Sequence, residues 1–329
     1  MHRSLIAAVF ALAAAAAQAQ QPIVIKFSHV VAEQTPKGKA ALKFKELAEA
    51  ATKGRVKVEV YPNSSLFKDG EEMEALQLGS VQMLAPSVAK FGPLGVREFE
   101  VFDLPYIFDN FDEMHKVTSG PVGAMLFKKL EGKGLVGLAF WDNGFKVMSA
   151  NKPIRVPADY KGLKLRIQSS KVLGDQIKAL GAIPQVMAFS EVYQALQTGV
   201  VDGTENPPSN FFTQKMQEVQ KYIAMTDHGV IEYAVITNKK FWDGLPADVR
   251  GALQNAMNEA TKFANDIAKK ENDDALEAVR KSGKTQILTL TPAEKAAMKK
   301  ALVSVHKENE SRVGKDVIAE VYKATGFKP

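Results

Sequence analysis

The sequence predicts an α/β protein built from two similar lobes, and three observations support this fold class. Strand and helix patterns alternate through the first third of the chain and start again in the second third. Residues 75–81 are nearly repeated at 195–201, and each copy has the pattern of a helix end, a glycine and a strand. Near the C terminus, one helical pattern is longer than a single lobe is wide.

The first third of the chain begins with a β-α-β pattern. Residues 23–27 and 56–60 alternate apolar with polar side chains, which predicts two strands, and residues 40–51 between them have helical apolar spacing. Asp69 with Glu72 three residues later predicts a capping box that opens a second helix. This order predicts a largely parallel sheet with helices on its faces.

The same order of elements returns after a gap. In the first copy, Gly79 ends the second helix and residues 81–85 have the composition of a buried strand. In the second copy we predict strands at 163–167, 184–187 and 200–203, one helix that begins after Ser169 or Ser170 and ends at Gly181, and another that begins after Ser190 and ends at Gly199. The repetition predicts two lobes of similar construction.

The last third of the chain predicts the connection between the lobes. Residues 246–281 favour a helix that would be about 50 Å long, enough to cross both lobes. Residues 291–294 (Thr-Pro-Ala-Glu) predict a further helix start. Because no Pro-rich linker separates the halves, we expect the chain to cross between the lobes more than once, around a hinge.

The N terminus predicts export. Arg3 precedes an unbroken apolar run at 5–17, and residues 17–19 (Ala-Gln-Ala) form a small-x-small cleavage pattern. The alternative, a membrane anchor, is disfavoured because the run is shorter than the roughly 20 residues that span a bilayer. The net charge of +6 is a mild excess that does not indicate nucleic-acid binding, and the absence of cysteine excludes disulfides and thiolate metal sites.

The inventory of catalytic side chains is poor, and we predict neither an enzyme nor a metal or cofactor site. The histidines lack metal-ligand spacing. Residues 132–137 match the glycine pattern of a dinucleotide site but lead from a helix into a strand, the reverse of the required context, and are interpreted as a turn. Asp202 and Glu205 leave one alternative, an exported hydrolase or lyase.

Polar side chains near the ends of predicted strands indicate a ligand cleft. Parallel sheets bind ligands beyond the carboxyl ends of their strands. His29 and residues 87–90 occupy such positions in the first lobe, as does Asn206 in the second. Arg166 lies within an apolar strand, where a guanidinium needs a partner. From the residues, that partner is either a bound carboxylate or an internal acidic side chain.

Four segments carry a resemblance that extends over essentially the whole chain after residue 19. They are 27–38 (Phe-Ser-His-Val-Val-Ala-Glu-Gln-Thr-Pro-Lys-Gly), 102–108, 165–170 and 187–207. The sequence resembles the solute-binding proteins of TRAP transporters, and its opening resembles their DctP type. The resemblance implies a periplasmic receptor with the two-lobed periplasmic-binding-protein fold, a long helix across both lobes, and delivery of an organic acid to an ion-driven membrane permease.

The resemblance also assigns roles in the second lobe. It makes Arg166 the principal clamp of a carboxylate, Asn206 the amide that binds the same end of the ligand, and Phe189 the aromatic wall against its carbon skeleton.

The first-lobe side of the cleft and the hinge agree less well with the residue pattern of the family. Lys146 and Lys90 stand where sialic-acid-binding relatives carry arginine, which implies point-charge contacts at the far end of the ligand. His29, Ser87 and Asp69 are candidates by position.

The resemblance to the DctP type implies a C4-dicarboxylate such as succinate, malate or fumarate, and the two charged ends of such a dianion would need a cation in each lobe. Another acid (aromatic, sugar or keto acid) and a role as ligand-presenting partner of a membrane sensor are the alternatives. We divide the chain into a signal peptide at 1–19, lobe I at 21–144 plus 233–272, and lobe II at 145–232 plus 273–329.

Overall fold

The computed structural model describes residues 21–329, which form two mixed β-sheets with helices on their faces. The predicted signal peptide at 1–19 lies outside the described residues. Among residues 21–329, no helix combines the length and apolar character needed to cross a bilayer.

The first sheet has five strands in the order β2-β1-β3-β10-β4. Its strands are β1 Ile23–Ser28, β2 Val56–Tyr61, β3 Met83–Leu84, β4 Leu135–Phe145 and β10 Val230–Asn238. Strand β1 pairs in parallel with β2 and β3, as predicted from the order of strands and helices in the first third of the chain. Strand β10 pairs antiparallel with β3 and β4, so the sheet is mixed.

The second sheet has six strands in the order β11-β9-β5-β8-β6-β7. Its strands are β5 Val147–Ala150, β6 Lys164–Ile167, β7 Ile183–Val186, β8 Gly203–Asn206, β9 Tyr222–Met225 and β11 Gln286–Thr289. Strand β6 is parallel to both β7 and β8, and β5 is antiparallel to β8 and β9. The two predicted βαβ units therefore form the parallel part of each sheet.

The helices cover both sheets and connect the lobes. They are α1 Pro36–Ala51, α2 Glu72–Gln77, α3 Phe111–Thr118, α4 Pro121–Glu131, α5 Lys171–Ala179, α6 Val192–Thr198, α7 Pro208–Thr213, α8 Lys239–Asp243, α9 Ala247–Ser282, α10 Pro292–Leu302, α11 Ser304–Glu308, α12 Glu310–Val313 and α13 Lys315–Thr325. Helix α9 has 36 residues. Its first half packs on the first lobe through Leu253 and Ala264, whereas Val279 lies in a cluster of the second lobe, so α9 crosses both as predicted.

Two short strand-to-strand connections also cross between the lobes. Lys146 alone separates β4 from β5, and residues 226–229 connect β9 to β10. The two crossings lie side by side, because the Lys146 amide donates to the Gly229 carbonyl at 2.8 Å. Together with α9 they form the hinge region.

The assignment of residues 273–329 to lobe II remains a prediction. In the structure, the C-terminal helices contact both lobes. Met298 and Leu302 pack in the core of the second lobe, whereas Val305 and Val321 pack in the core of the first.

The helix starts show which local signals were sufficient. Ser170 caps α5, and Thr291 forms the predicted capping box with Glu294. The predicted caps at Asp69 and Ser190 were wrong, since α2 and α6 begin without a side-chain cap. The Asp69 carboxylate contacts distant groups instead, as described below.

The strand predicted at 200–203 was placed too early, and β8 occupies Gly203–Asn206. In the repeated segment, by contrast, Gly79 and Gly199 both adopt positive φ, at 80° and 72°, as expected for glycines that end helices.

Candidate functional site

A small cavity lies between the two lobes. Side chains of both lobes line it: Val30, Val31, Lys37, Asp69, Ser87, Lys90, Arg166, Gln168, Phe189, Asn206, Asn210, Ile231 and Tyr233. The structure therefore brings six of the eight predicted site residues to one cavity: Arg166, Asn206, Phe189, Lys90, Ser87 and Asp69.

Arg166 is a buried cation held by the main chain. Its side chain projects from β6 and its residue is 3 % exposed. The Nε and Nη2 atoms donate to the Met187 carbonyl at 3.0 and 2.8 Å. Within residues 21–329 no carboxylate lies within ion-pair distance of the guanidinium, so the internal salt bridge considered from the sequence is not formed. An anionic ligand would compensate this buried charge.

The orientation of Arg166 leaves donors for a ligand. Both observed bonds go to one carbonyl oxygen, and within the described chain Nη1 has no hydrogen-bond acceptor. Burial lowers the pKa of Arg166, yet a guanidinium remains charged in proteins. Two parallel N–H groups on a fixed plane match the geometry of a carboxylate.

Asn206 and Phe189 complete this wall of the cavity. Arg166 of β6 pairs with Thr204 of β8, and Asn206 lies two residues further along β8. The side chains of Arg166, Thr204 and Asn206 therefore share one face of the sheet. The Asn206 Nδ2 atom donates to Thr204 Oγ1 at 3.3 Å. The Phe189 ring centroid lies 5.6 Å from the Arg166 Cζ atom and provides an apolar surface beside the guanidinium.

Lys90 enters the cavity from the first lobe with its charge already offset. Its Nζ atom pairs with Asp69 and, at 2.6 Å, with Glu72. Burial opposes the charged form of Lys90, but the two carboxylates outweigh burial and raise its pKa above the usual value. Burial likewise favours the neutral form of Asp69, yet Lys90 outweighs it and holds the Asp69 pKa at about 2. This first-lobe group is a compact ion network.

Asp69 also joins the two lobes across the mouth of the cavity. Its Oδ2 atom accepts a hydrogen bond from the Phe189 amide at 2.5 Å. Nearby, Lys68 and Glu191 approach each other to 3.8 Å across the same opening, with both side chains about half exposed. The structure is therefore a closed form, with Asp69 as one largely buried contact between the lobes.

Lys146, a predicted ligand contact, lies at the hinge and does not line the cavity. Its Nζ atom is 2.9 Å from one oxygen of Glu205 and 3.0 Å from the other, and His228 Nε2 is 2.8 Å from Glu205. Burial raises the pKa of Glu205, but Lys146 outweighs burial and lowers it to about 2. Asp202, the other half of the considered acid–base pair, instead accepts a hydrogen bond from the Lys164 amide at 2.7 Å.

His29 also lies outside the cavity lining, although it follows β1 as predicted. Its residue is 1 % exposed, and neither ring nitrogen has a hydrogen-bond partner among the described residues. Burial, together with the charge of Lys37, lowers the pKa of His29 to about 3, so the ring is neutral at ordinary pH.

The sequence reasoning missed four polar residues of the cavity: Lys37, Gln168, Asn210 and Tyr233. Three of them had a signal, and one of these, Gln168, lies in segment 165–170, which carried the resemblance. Lys37 is in the first turn of α1, just past the carboxyl end of β1, inside a segment that carried the resemblance. Asn210 lies in α7, four residues after Asn206 at the end of β8. Tyr233 had no local signal, since it reaches the cavity from β10.

Comparison with known proteins is consistent with this geometry. The family model for bacterial extracellular solute-binding proteins, family 7 (DctP), matches residues 27–312. The C4-dicarboxylate-binding periplasmic protein DctP of Rhodobacter capsulatus is 66 % identical over 305 residues, covering 93 % of this chain and 92 % of that protein.

Solved structures of TRAP periplasmic solute-binding proteins superimpose closely. One from Shewanella oneidensis with bound succinate has a TM-score of 0.90 and 43 % identity, and covers 92 % of this chain and 99 % of that one. One from Pseudomonas aeruginosa with bound L-malate has a TM-score of 0.85 and 42 % identity, over 87 % of this chain and 100 % of that one. These similarities confirm the predicted two-lobed fold and the resemblance on which the site residues were assigned.

Proposed function

The chain belongs to family 7 of the bacterial extracellular solute-binding proteins, and we propose that it is a TRAP receptor that binds a C4-dicarboxylate and delivers it to a membrane permease. The observation that supports this most is Arg166, a buried guanidinium in an inter-lobe cavity with no carboxylate partner among residues 21–329. A small organic anion supplies the missing charge.

One end of the ligand would be held by the second lobe. Arg166 donates two parallel hydrogen bonds to a carboxylate, Asn206 contributes its amide, and Phe189 packs against the carbon chain. The cavity is small and its apolar lining is limited to Val30, Val31, Phe189 and Ile231, which suits a short aliphatic acid.

Closure follows from contacts with both lobes. An open form presents the ligand with one lobe, whereas the closed form adds the first-lobe groups and the Asp69–Phe189 hydrogen bond. A ligand shifts such an equilibrium only through its different affinity for the two forms. The hinge at Lys146 and residues 226–229 is where we propose that the rotation occurs.

The relatives support a diacid over a sugar acid. Proteins 42–45 % identical to this chain have bound succinate or L-malate, whereas the galactonate-bound protein of Advenella mimigardefordensis is 31 % identical. We further propose export by the segment at 1–19, a periplasmic location, and release of the acid unchanged.

Titration calorimetry with purified protein lacking residues 1–19 tests the proposal. Succinate, L-malate and fumarate are compared with galactonate and with butyrate, the monoacid of the same chain length. We expect at least one C4-dicarboxylate to bind at least 100-fold more tightly than butyrate or galactonate. Nuclear magnetic resonance spectra of the recovered diacid should be unchanged. Preference for galactonate, or turnover of the diacid, would contradict the proposal.

A further inference from the structure

Lys37 is the first-lobe cation that the ion network leaves without a carboxylate. Its residue is 1 % exposed and lines the inter-lobe cavity. Its Nζ atom donates to the Ala85 carbonyl at 2.9 Å and lies 3.7 Å from the centroid of the Tyr233 ring. Within residues 21–329, no carboxylate oxygen lies within ion-pair distance of this atom, in contrast to Lys90 with its two.

The carbonyl and the ring hold Lys37 in place without neutralising it. A lysine ammonium has three N–H donors, and only the bond to Ala85 is formed within the described chain. The face of an aromatic ring attracts a cation but carries no net negative charge, so it does not neutralise the ammonium. Lys37 therefore resembles Arg166 in the opposite lobe, as a buried, oriented cation with no carboxylate within ion-pair distance among the described residues.

The charges around Lys37 make its protonation sensitive to a ligand. Lys90 repels the ammonium, whereas Glu72 and Asp69 attract it from further away, and the neighbouring His29 ring is neutral. Burial, followed by the charge of Lys90, lowers the pKa of Lys37 to about 7. A carboxylate placed against Nζ would favour the charged form and raise that pKa again.

We propose that Lys37 binds the second carboxylate of the ligand and that its Nζ atom takes up a proton from the solvent when the ligand binds. This inference rests on the proposed function, since it requires a diacid whose first carboxylate is held by Arg166. It makes Lys37 the residue that distinguishes diacids from monoacids. It also makes affinity depend on pH, because binding fills a proton site that is partly empty at neutral pH.

Proton uptake can be measured on the unmodified protein. Succinate is titrated at pH 7 and 8 in phosphate and in Tris, which have different ionisation enthalpies, and the slope of the observed enthalpy against ionisation enthalpy counts the protons. We expect uptake of about half a proton at pH 7 and more at pH 8, and affinity that falls by up to about tenfold per pH unit above pH 7. A slope of zero at both pH values would overturn the proposal.

Two variants of the same helix assign the effect to one lysine. Lys37→Met keeps the length of the side chain and removes its charge, and Lys43→Met is the matched control, since Lys43 pairs with Glu46 away from the cavity. We expect Lys37→Met to lower the preference for succinate over butyrate by about 100-fold, because a charged hydrogen bond to the second carboxylate is lost, and to abolish proton uptake. Lys43→Met should change neither.

The outcomes separate this inference from the proposed function. If wild-type protein binds succinate and Arg166→Met loses it, but Lys37→Met retains both the preference and the proton uptake, the role of Lys37 is refuted while the receptor function stands. If wild-type protein binds none of the C4-dicarboxylates, both are refuted. Circular dichroism of Lys37→Met and a parallel Lys37→Gln variant exclude misfolding as the cause of a loss.

Discussion

The two walls of the cavity hold their cations in opposite ways. In the second lobe, Arg166 is bonded to a main-chain carbonyl and has no acidic neighbour within ion-pair distance in residues 21–329. Of the two first-lobe lysines that line the cavity, Lys90 is bound by Asp69 and Glu72, whereas Lys37 has no carboxylate within ion-pair distance in the described chain.

This difference shows how burial of charge is divided between folding and binding. A buried ion pair is expensive to break, because the remaining partner is left uncompensated in a poorly polarisable interior. Lys90 therefore stabilises the closed protein, whereas Arg166 and Lys37 carry charge that a ligand can compensate. The same residue type, lysine, serves both purposes within one lobe.

The largest effect is expected at Arg166. Arg166→Met leaves the ligand carboxylate buried without its main donor, and we expect succinate affinity to fall about 1,000-fold, equivalent to roughly 4 kcal/mol. Arg166→Lys should recover only part of the loss, since an ammonium cannot form two parallel bonds in one plane. Titration calorimetry measures both. If Arg166→Met binds succinate as wild type does, the second-lobe wall is not the carboxylate site.

Lys90 is expected to affect stability more than binding. Lys90→Met leaves Asp69 and Glu72 facing each other in the interior, and we expect a loss of about 3 kcal/mol in the free energy of unfolding. Urea denaturation without ligand measures it. Lys68→Met is the control, because Lys68 is an exposed lysine next to Asp69 in the sequence. It should lower the free energy of unfolding by less than about 1 kcal/mol. Equal losses would show that the buried ion network of Lys90 stabilises the fold no more than an exposed lysine does.

Asp69 is expected to have a moderate effect on closure. Asp69→Ala removes its buried contact with the Phe189 amide and one partner of Lys90, and we expect succinate affinity to fall about tenfold. Glu191→Ala, at the exposed inter-lobe contact, should change affinity less than about twofold. Small-angle scattering should show the Asp69 variant more open without ligand; an unchanged radius would contradict this role.

The pH dependence of this contact follows from the lowered pKa of Asp69, about 2 in the folded protein. A carboxyl group whose pKa falls on folding stabilises the protein above its unfolded pKa of roughly 3.9, and loses this contribution as the pH falls towards 2. The difference in the free energy of unfolding between wild type and Asp69→Ala should thus be constant from pH 5 to 7 and become smaller in more acidic solution.

Lys37 is expected to have the smallest effect on stability, and in the opposite direction from Lys90. Its pKa of about 7 lies below the unfolded value of roughly 10.4, so its charge destabilises the ligand-free fold below pH 7, and the cost is relieved as the pH rises towards 10. Lys37→Met should therefore stabilise the ligand-free protein by about 1 kcal/mol at pH 6 and by less at pH 9. Destabilisation at pH 6 would show that Lys37 has a counter-charge.

Local patterns were reliable where neighbours along the chain decide the structure. The alternating residues of β1 and β2, the cap at Ser170, the capping box at Thr291 and the long helix α9 were each predicted from a few adjacent residues. The carboxylate role of Arg166 depended on the family resemblance, since an apolar strand with one arginine fits an internal ion pair equally well.

The partners of charged side chains could not be predicted in the same way. Asp69 has the spacing of a helix cap, but its carboxylate contacts Lys90 and the amide of Phe189, which lies 120 positions away. Lys146 was placed on the ligand and instead pairs with Glu205 at the hinge. Lys37 lies in a segment that carries the family resemblance, but that segment alone did not place it in the cavity.

The class of fold, the repeated lobes, the long connecting helix and the strand that carries Arg166 could all be predicted from the amino-acid sequence. These features depend on hydrophobic period and on caps, which act over one or two turns of chain. Which cavity cations already have a carboxylate partner within residues 21–329, and which are available to a ligand, became clear from the packing of the folded chain. That distinction depends on the distances between residues from separate elements and on their shared removal from water, and neither is encoded in any one segment of the chain.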